Sequence, residues 1–120
     1  MDWGEQYAAA WNAHDVEALV ASFAPDCRYT DLPFRTTWEG HEGIRQMCRA
    51  TIEFHPDVEV IRHSGFRDGQ NYVWEWTMSG TVAGQWVSYR GVSVGTLDDQ
   101  DRVVEQRDYW NPKDIPSLGT

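Results

Sequence analysis

Two aspartates stand where proton chemistry could be built. Asp31 follows Tyr29 and Thr30 and precedes Leu32, Pro33 and Phe34. A carboxyl group held among such apolar neighbours loses part of its hydration, and its pKa rises toward the range useful for moving a proton at neutral pH. The same position also suits a turn-forming Asp ahead of Pro33, solvated at a rim. Asp108 lies in the run Arg107-Asp108-Tyr109-Trp110, where it could serve as a second carboxylate or be tied structurally to Arg90 or Arg107. Around both lies an unusual supply of rings, with seven Trp, five Tyr and four Phe in 120 residues. Such side chains fill cores, but so many in one small domain imply that some line a cavity.

Other chemistries find less support. His14, His41, His55 and His63 show no metal-ligand spacing and read as capping or surface residues. The acidic run Asp98 to Asp101 lacks the remaining ligands of a calcium loop and reads as a solvated hairpin. No metal and no cofactor is therefore expected. Cys27 and Cys48 could form at most one bridge, and a chain able to bury its own core does not need it; both read as buried free thiols. The formal charge of −9 at pH 7 repels phosphate backbones, and the ten basic residues form no stripe, which argues against nucleic acid. No apolar run approaches the ~20 residues of a membrane span. The first ten residues carry Asp2 and Glu5 and have no signal-peptide character. A soluble cytoplasmic protein without a membrane partner is expected.

The elements that must position these residues follow from periodicity. Trp3, Tyr7, Ala10 and Trp11 recur at helical spacing behind Asp2, predicting a helix from Trp3 to about Ala13. Asp15 caps a second helix with Val16, Leu19, Val20 and Phe23 on its apolar face, ended by Pro25 and Asp26. A short strand follows from Cys27 to Pro33, then a loop from Phe34 to Gly40 that holds Trp38. A third helix runs from about His41 to Phe54, stopped by Pro56. Beyond it, segments 58–66, 72–82, 84–97 and 102–110 read as strands. Period two places Trp74, Trp76 and Met78 on one face, Tyr89, Gly91, Ser93, Gly95 and Leu97 on one face, and Val104, Gln106, Asp108 and Trp110 on one face. Interior glycines permit sharp curvature. The expectation is an α+β fold, three N-terminal helices packed on a strongly curved, mostly antiparallel sheet that closes into a cone. One domain spans 1–112, with a short polar tail over 113–120.

Three segments carry a family resemblance: Tyr7 to Asp31, Trp38 to Met47, and Arg90 to Trp110. In order and spacing they resemble the nuclear-transport-factor-2-like superfamily and, within it, the SnoaL-like proteins. The resemblance implies a cone-shaped barrel with a deep pocket, usually homodimeric. Asp31 falls where ketosteroid isomerase has its general base, and Tyr7 matches that enzyme's oxyanion-stabilising tyrosine. Ser93 stands in place of its second oxyanion donor, a protonated aspartate, and is a weaker donor. Relative to limonene-epoxide hydrolase, Tyr29 matches a water-positioning tyrosine and Asp108 a catalytic aspartate, whereas Trp76 and Met78 replace its arginine and other aspartate. Polyketide cyclases keep an aspartate at the Asp108 position.

Together these readings imply a cofactor-independent enzyme for acid/base chemistry, such as isomerisation, cyclisation, dehydration or hydrolysis, on a small apolar ring-containing molecule. Asp31, Asp108 and Tyr7 would carry the reaction. Trp11, Tyr29, Phe34, Trp38, Trp74, Trp76, Met78, Tyr89, Ser93 and Trp110 would hold the ligand. The alternative is a noncatalytic binding or dimerising domain that uses the same cavity. Val87, Val92, Val94, Val103 and Tyr109 are expected on the outer sheet face, as the seam of a homodimer.

Overall fold

The structure, a computed structural model, describes residues 2–118. Helix α1 spans Trp3–Asn12 and α2 Val16–Ala21; each begins where an aspartate accepts a backbone N–H, Asp2 from Glu5 at 2.8 Å and Asp15 from Ala18 at 3.1 Å. Strands β1 (Phe23–Asp31) and β2 (Thr36–Glu39) precede α3 (Gly40–Phe54), and β3 (Glu59–Asp68), β4 (Asn71–Val82), β5 (Gln85–Leu97) and β6 (Val103–Trp110) follow it. The six strands form one sheet in the order β2-β1-β6-β5-β4-β3, antiparallel except for β1 beside β6. The helices pack on its concave face and complete the expected α+β cone. Among the described residues no helix is long and apolar enough to cross a membrane.

Three local expectations are corrected. First, β1 begins at Phe23, not Cys27, so Phe23 is a strand residue and not part of α2. Pro25 is tolerated inside it because the register with β6 shifts between Phe23 and Arg28, where Pro25 breaks no paired rung. Second, part of the segment expected as a loop pairs as β2, after a turn closed by Arg35 N–H on the Leu32 carbonyl at 3.1 Å. Third, the expected polar tail is not wholly polar in its packing: Ile115 is fully buried in the core, just after a 3₁₀ turn at Pro112–Asp114. The tail's last two residues lie outside the described ones.

The outer face also needs correction. Val87 and Val103 are buried. Val87 shares the odd-numbered parity of Tyr89 and so points inward, whereas Val103 is carried to the core side by a register shift at Thr96/Leu97, where it pairs with Leu97. Val92 and Val94 remain half-buried, beside exposed Tyr109, Ile61 and Phe66. Cys27 and Cys48 are both buried and unbridged.

Candidate active site

Helix α1 lays Tyr7 and Trp11 over the concave sheet, where both are buried. Tyr7 packs edge-on to Trp11, Trp74 and Phe23 with ring centroids 5.9–6.2 Å apart. Beyond this packed layer the cone stays open. A cavity of about 280 Å³ is bounded by α1, by the C-terminal half of α3 and by the inner faces of β1, β4, β5 and β6. This is near the lower end of small-molecule pockets.

Most residues singled out from the sequence meet there. Tyr7, Trp11, Tyr29, Trp74 and Trp76 form the deeper walls, and Met78, Tyr89 and Trp110 continue them. Phe34 and Trp38 also line the cavity; Phe34 is 47% exposed and stands edge-on to Trp110 at 5.2 Å, which puts it at the mouth. Two expected residues lie outside the lining. Ser93 is fully buried behind it, between Trp76 and Asp108. Asp31 stands behind the Trp110 ring, whose indole N–H donates to Oδ1 at 2.8 Å.

Asp108 is the carboxylate on the cavity wall. It is bound neither to Arg90 nor to Arg107, whose guanidinium pairs with Glu105. Its Oδ1 accepts from the Ser93 hydroxyl at 2.5 Å and from the Gln106 amide at 2.9 Å. The direction of the Ser93 bond is fixed from behind. The Trp76 indole can only donate and does so to Ser93 Oγ at 2.9 Å, which leaves the Ser93 proton for Asp108. For Gln106 the carboxylate itself sets the direction: it can only accept, so the amide nitrogen faces Asp108 and Oε1 accepts from the Tyr72 hydroxyl. With Oδ1 occupied by two donors, the remaining oxygen, Oδ2, meets the Tyr29 hydroxyl.

Electrostatics sort the two carboxyls. Burial raises the Asp108 pKa, opposed by its three donors Ser93, Tyr29 and Gln106. Asp31 is pushed up from 3.8 to about 6, chiefly by burial; the Trp110 bond pulls against this, and the charge of Asp108 adds to it. Their backbones are register partners on adjacent parallel strands, so the two groups feel one another. Tyr7 and Tyr29 are held well above the usual tyrosine value by burial and keep their protons.

Some residues of the site carry no clear mark in the sequence. His55, expected as a capping or surface residue, does end α3, but its side chain is 1% exposed and faces the cavity, with Nε2 3.2 Å from the Tyr89 hydroxyl. No spacing signal points to it. Thr51, one turn back on α3, and Phe54, next to His55 in the chain, also line the wall. Gln106 could have been found, since it shares the inward face of β6 with Asp108. Two other histidines are structural: His14 bonds the Val58 carbonyl and His41 the Phe23 carbonyl. Among the described residues no group of three or more His, Cys, Asp or Glu is placed to hold a metal ion.

The sequence pattern of the SnoaL-like domain matches residues 5–106. The chain belongs to the SnoaL-like domain family. A cyclase from Calcarisporium arbuscula is 27% identical over 111 residues, covering 88% of this chain and 82% of that protein. Among solved structures, a protein of ketosteroid isomerase-like fold from Catenulispora acidiphila, in complex with trimethylamine, superimposes with a TM-score of 0.90 at 21% identity, over 98% of this chain and 91% of that one. An NTF2-like protein of unknown function from Burkholderia pseudomallei gives a TM-score of 0.85 at 20% identity, over 98% and 95%. These likenesses agree with the cone-shaped NTF2-like architecture and with the family resemblance read from the three sequence segments.

Proposed function

We propose that this protein is a cofactor-independent enzyme of the cyclase/isomerase type, acting on a small apolar ring compound by acid/base chemistry. The observation that carries the reading is the wiring of Asp108: two fixed donors hold Oδ1, and Oδ2 is paired with a tyrosine on the cavity wall. A proton on Asp108 then sits on Oδ2 and is directed to the Tyr29 oxygen. The Tyr29 hydroxyl is in turn freed to donate to oxygen charge developing on the ligand. Asp31, ionised above about pH 6, serves as the base, and the Trp110 ring that covers it must turn aside for the ligand to reach it. One proton leaves the ligand for Asp31 and one is delivered through Tyr29, so the proton count of the protein is unchanged over the exchange. Membership of the SnoaL-like family and the likeness to a cyclase support the reaction class. The outer sheet face, with Val92, Val94 and Tyr109, would join two copies.

The test is solvent deuterium exchange at the acidic ring carbon of 2-tetralone, followed by NMR. The protein should accelerate it. Asp31→Asn and Asp108→Asn should each lower the acceleration by ~100-fold, the usual scale for losing a general acid or base. A wild-type rate equal to buffer, or full activity in Asp108→Asn, refutes the mechanism.

A second reading is favoured by one observation. Ten of the seventeen residues lining the cavity are aromatic, one is a carboxylate, and none is Lys or Arg. Such a cage suits a small alkylammonium ion, held by ring faces and a carboxylate, and the Catenulispora protein of the same fold was captured with trimethylamine. Calorimetry with tetramethylammonium decides: binding that disappears in Asp108→Asn, without any exchange activity on 2-tetralone, would favour a binding protein.

A further inference from the structure

On the α3 side of the cavity a second polar arrangement stands apart from the aspartates. His55 is buried at the end of α3, and its Nε2 lies 3.2 Å from the Tyr89 hydroxyl. Gly80 on β4 makes room for the imidazole, since a Cβ there would lie 2.7 Å from Nδ1 and 3.1 Å from Asp57 Oδ1. Asp57 is itself fixed by the Thr81 backbone N–H at 2.6 Å and the Thr81 hydroxyl at 2.7 Å.

We propose that His55 fixes the Tyr89 hydroxyl as a hydrogen-bond acceptor in the cavity, forming a subsite for a hydroxyl group on a ring ligand. The inference rests on the cavity being a ligand site, as in the proposed function, and names the substituent the ligand carries. Burial keeps His55 neutral, with its pKa below the usual histidine value. A neutral imidazole has one ring proton. Nδ1 has no hydrogen-bond partner, but it and Asp57 Oδ1 border the same point beside Gly80, so the negative charge of Asp57 favours the proton on that nitrogen. Nε2 is then an acceptor, so the Tyr89 O–H must donate to it. The Tyr89 oxygen is left with lone pairs toward the cavity, matched to a ligand O–H and mismatched to an ether or ketone oxygen. The Tyr89 ring is held against Trp110 at 4.9 Å and Trp76 at 6.2 Å, so the oxygen is presented from a fixed position.

The test uses naphthalene, 2-naphthol and 2-methoxynaphthalene, which differ in hydrogen-bond donation at one position, with tryptophan fluorescence as the readout. Wild type should prefer 2-naphthol to 2-methoxynaphthalene by about 5-fold, the scale of one hydrogen bond. Tyr89→Phe should abolish that preference, read as the ratio of the two affinities within the variant. In His55→Phe the Tyr89 proton is released toward the cavity, so the ratio of the two affinities should shift toward 2-methoxynaphthalene; a purely structural histidine would not move that ratio. Persistence of the 2-naphthol preference in Tyr89→Phe overturns the subsite while leaving the cavity reading intact. Failure of naphthalene to bind wild type overturns both. Independently of any ligand, nitrogen-15 NMR should find the His55 proton on Nδ1, and a proton on Nε2 overturns the proposal.

Discussion

Replacing Asp31 by Asn should make the protein more stable at neutral pH and leave it unchanged in acid. In the fold Asp31 ionises at about 6, against 3.8 for the ordinary group, with burial as the main cause. Below pH 3.8 the carboxyl is neutral in both folded and unfolded chains and contributes nothing. Between 3.8 and about 6 the folded state binds more protons, so stability falls as pH rises. Above about 6 the penalty is complete and constant. The full difference corresponds to about 3 kcal/mol, and access of water at the mouth reduces this to about 1.5 kcal/mol. The asparagine side chain is uncharged but keeps an Oδ1 to accept the Trp110 indole N–H, so the bond seen at 2.8 Å need not be lost. For a chain of this length the gain is a rise in Tm of about 6 °C at about pH 8. Thermal unfolding of both proteins by circular dichroism from about pH 3.5 to 8 measures it, because titrations common to both largely cancel in the difference. A variant no more stable than wild type at the alkaline end, or equally stabilised at the acid end, would refute the placement of Asp31 in a desolvated setting.

The remaining expectations are briefer. Ser93→Ala removes the acceptor of the Trp76 indole and one donor to Asp108, and should cost about 1–3 kcal/mol in denaturant unfolding for leaving a buried N–H unpaired. Gly91→Ala places a Cβ 2.3 Å from the Trp76 ring and should cost about 1–3 kcal/mol by overpacking, with weaker naphthalene binding as Trp76 is pushed into the cavity; unchanged stability and affinity would contradict this. Sedimentation equilibrium at micromolar concentration should give twice the 13.8 kDa chain mass, and Tyr109→Lys on the outer face should shift it toward the monomer.

Much of the fold is legible because helix spacing and strand alternation record burial directly. Asp2 and Asp15 mark their helix starts, and period two assigns the inward runs of β4 and β5. Where alternation fails, a register shift is the cause. A bulge carries no residue signature, so alternation puts Val103 on the wrong face, and Pro25, read as a helix stop, hides a β1 that begins four residues earlier than expected. The site is legible in its residue types but less so in its wiring. Asp31 and Asp108 share a rung, yet only the packing shows that Trp110 screens one from the cavity while Tyr29 meets the other. His55 is not legible, since its role depends on Gly80 lying across the sheet from the end of α3.

The openness of the cavity has its own explanation in sequence terms. Five of the seven tryptophans line one small cone and should fill it unless something lets the rings lie flat. The tight turn at Ala83 and Gly84, both with positive φ, sets the register of β4 against β5. In that register Trp76 is paired directly with Gly91, Tyr72 with Gly95 and Trp74 with Ser93. Each large ring on β4 thus has a minimal partner on β5. A Cβ at Gly91 would lie 2.3 Å from the Trp76 ring, and one at Gly95 would lie 2.7 Å from the Tyr72 hydroxyl, so both side chains occupy the space that glycine leaves on the neighbouring strand. Lying along the sheet, they point their polar ends toward β6: Tyr72 reaches Gln106 on it, and Trp76 reaches Ser93 on β5 and through it Asp108. The same glycines that leave volume for a ligand therefore bring the donors of the Asp108 network within reach. Alternation of large and absent side chains across one hairpin builds both the cavity and the support for its carboxylate.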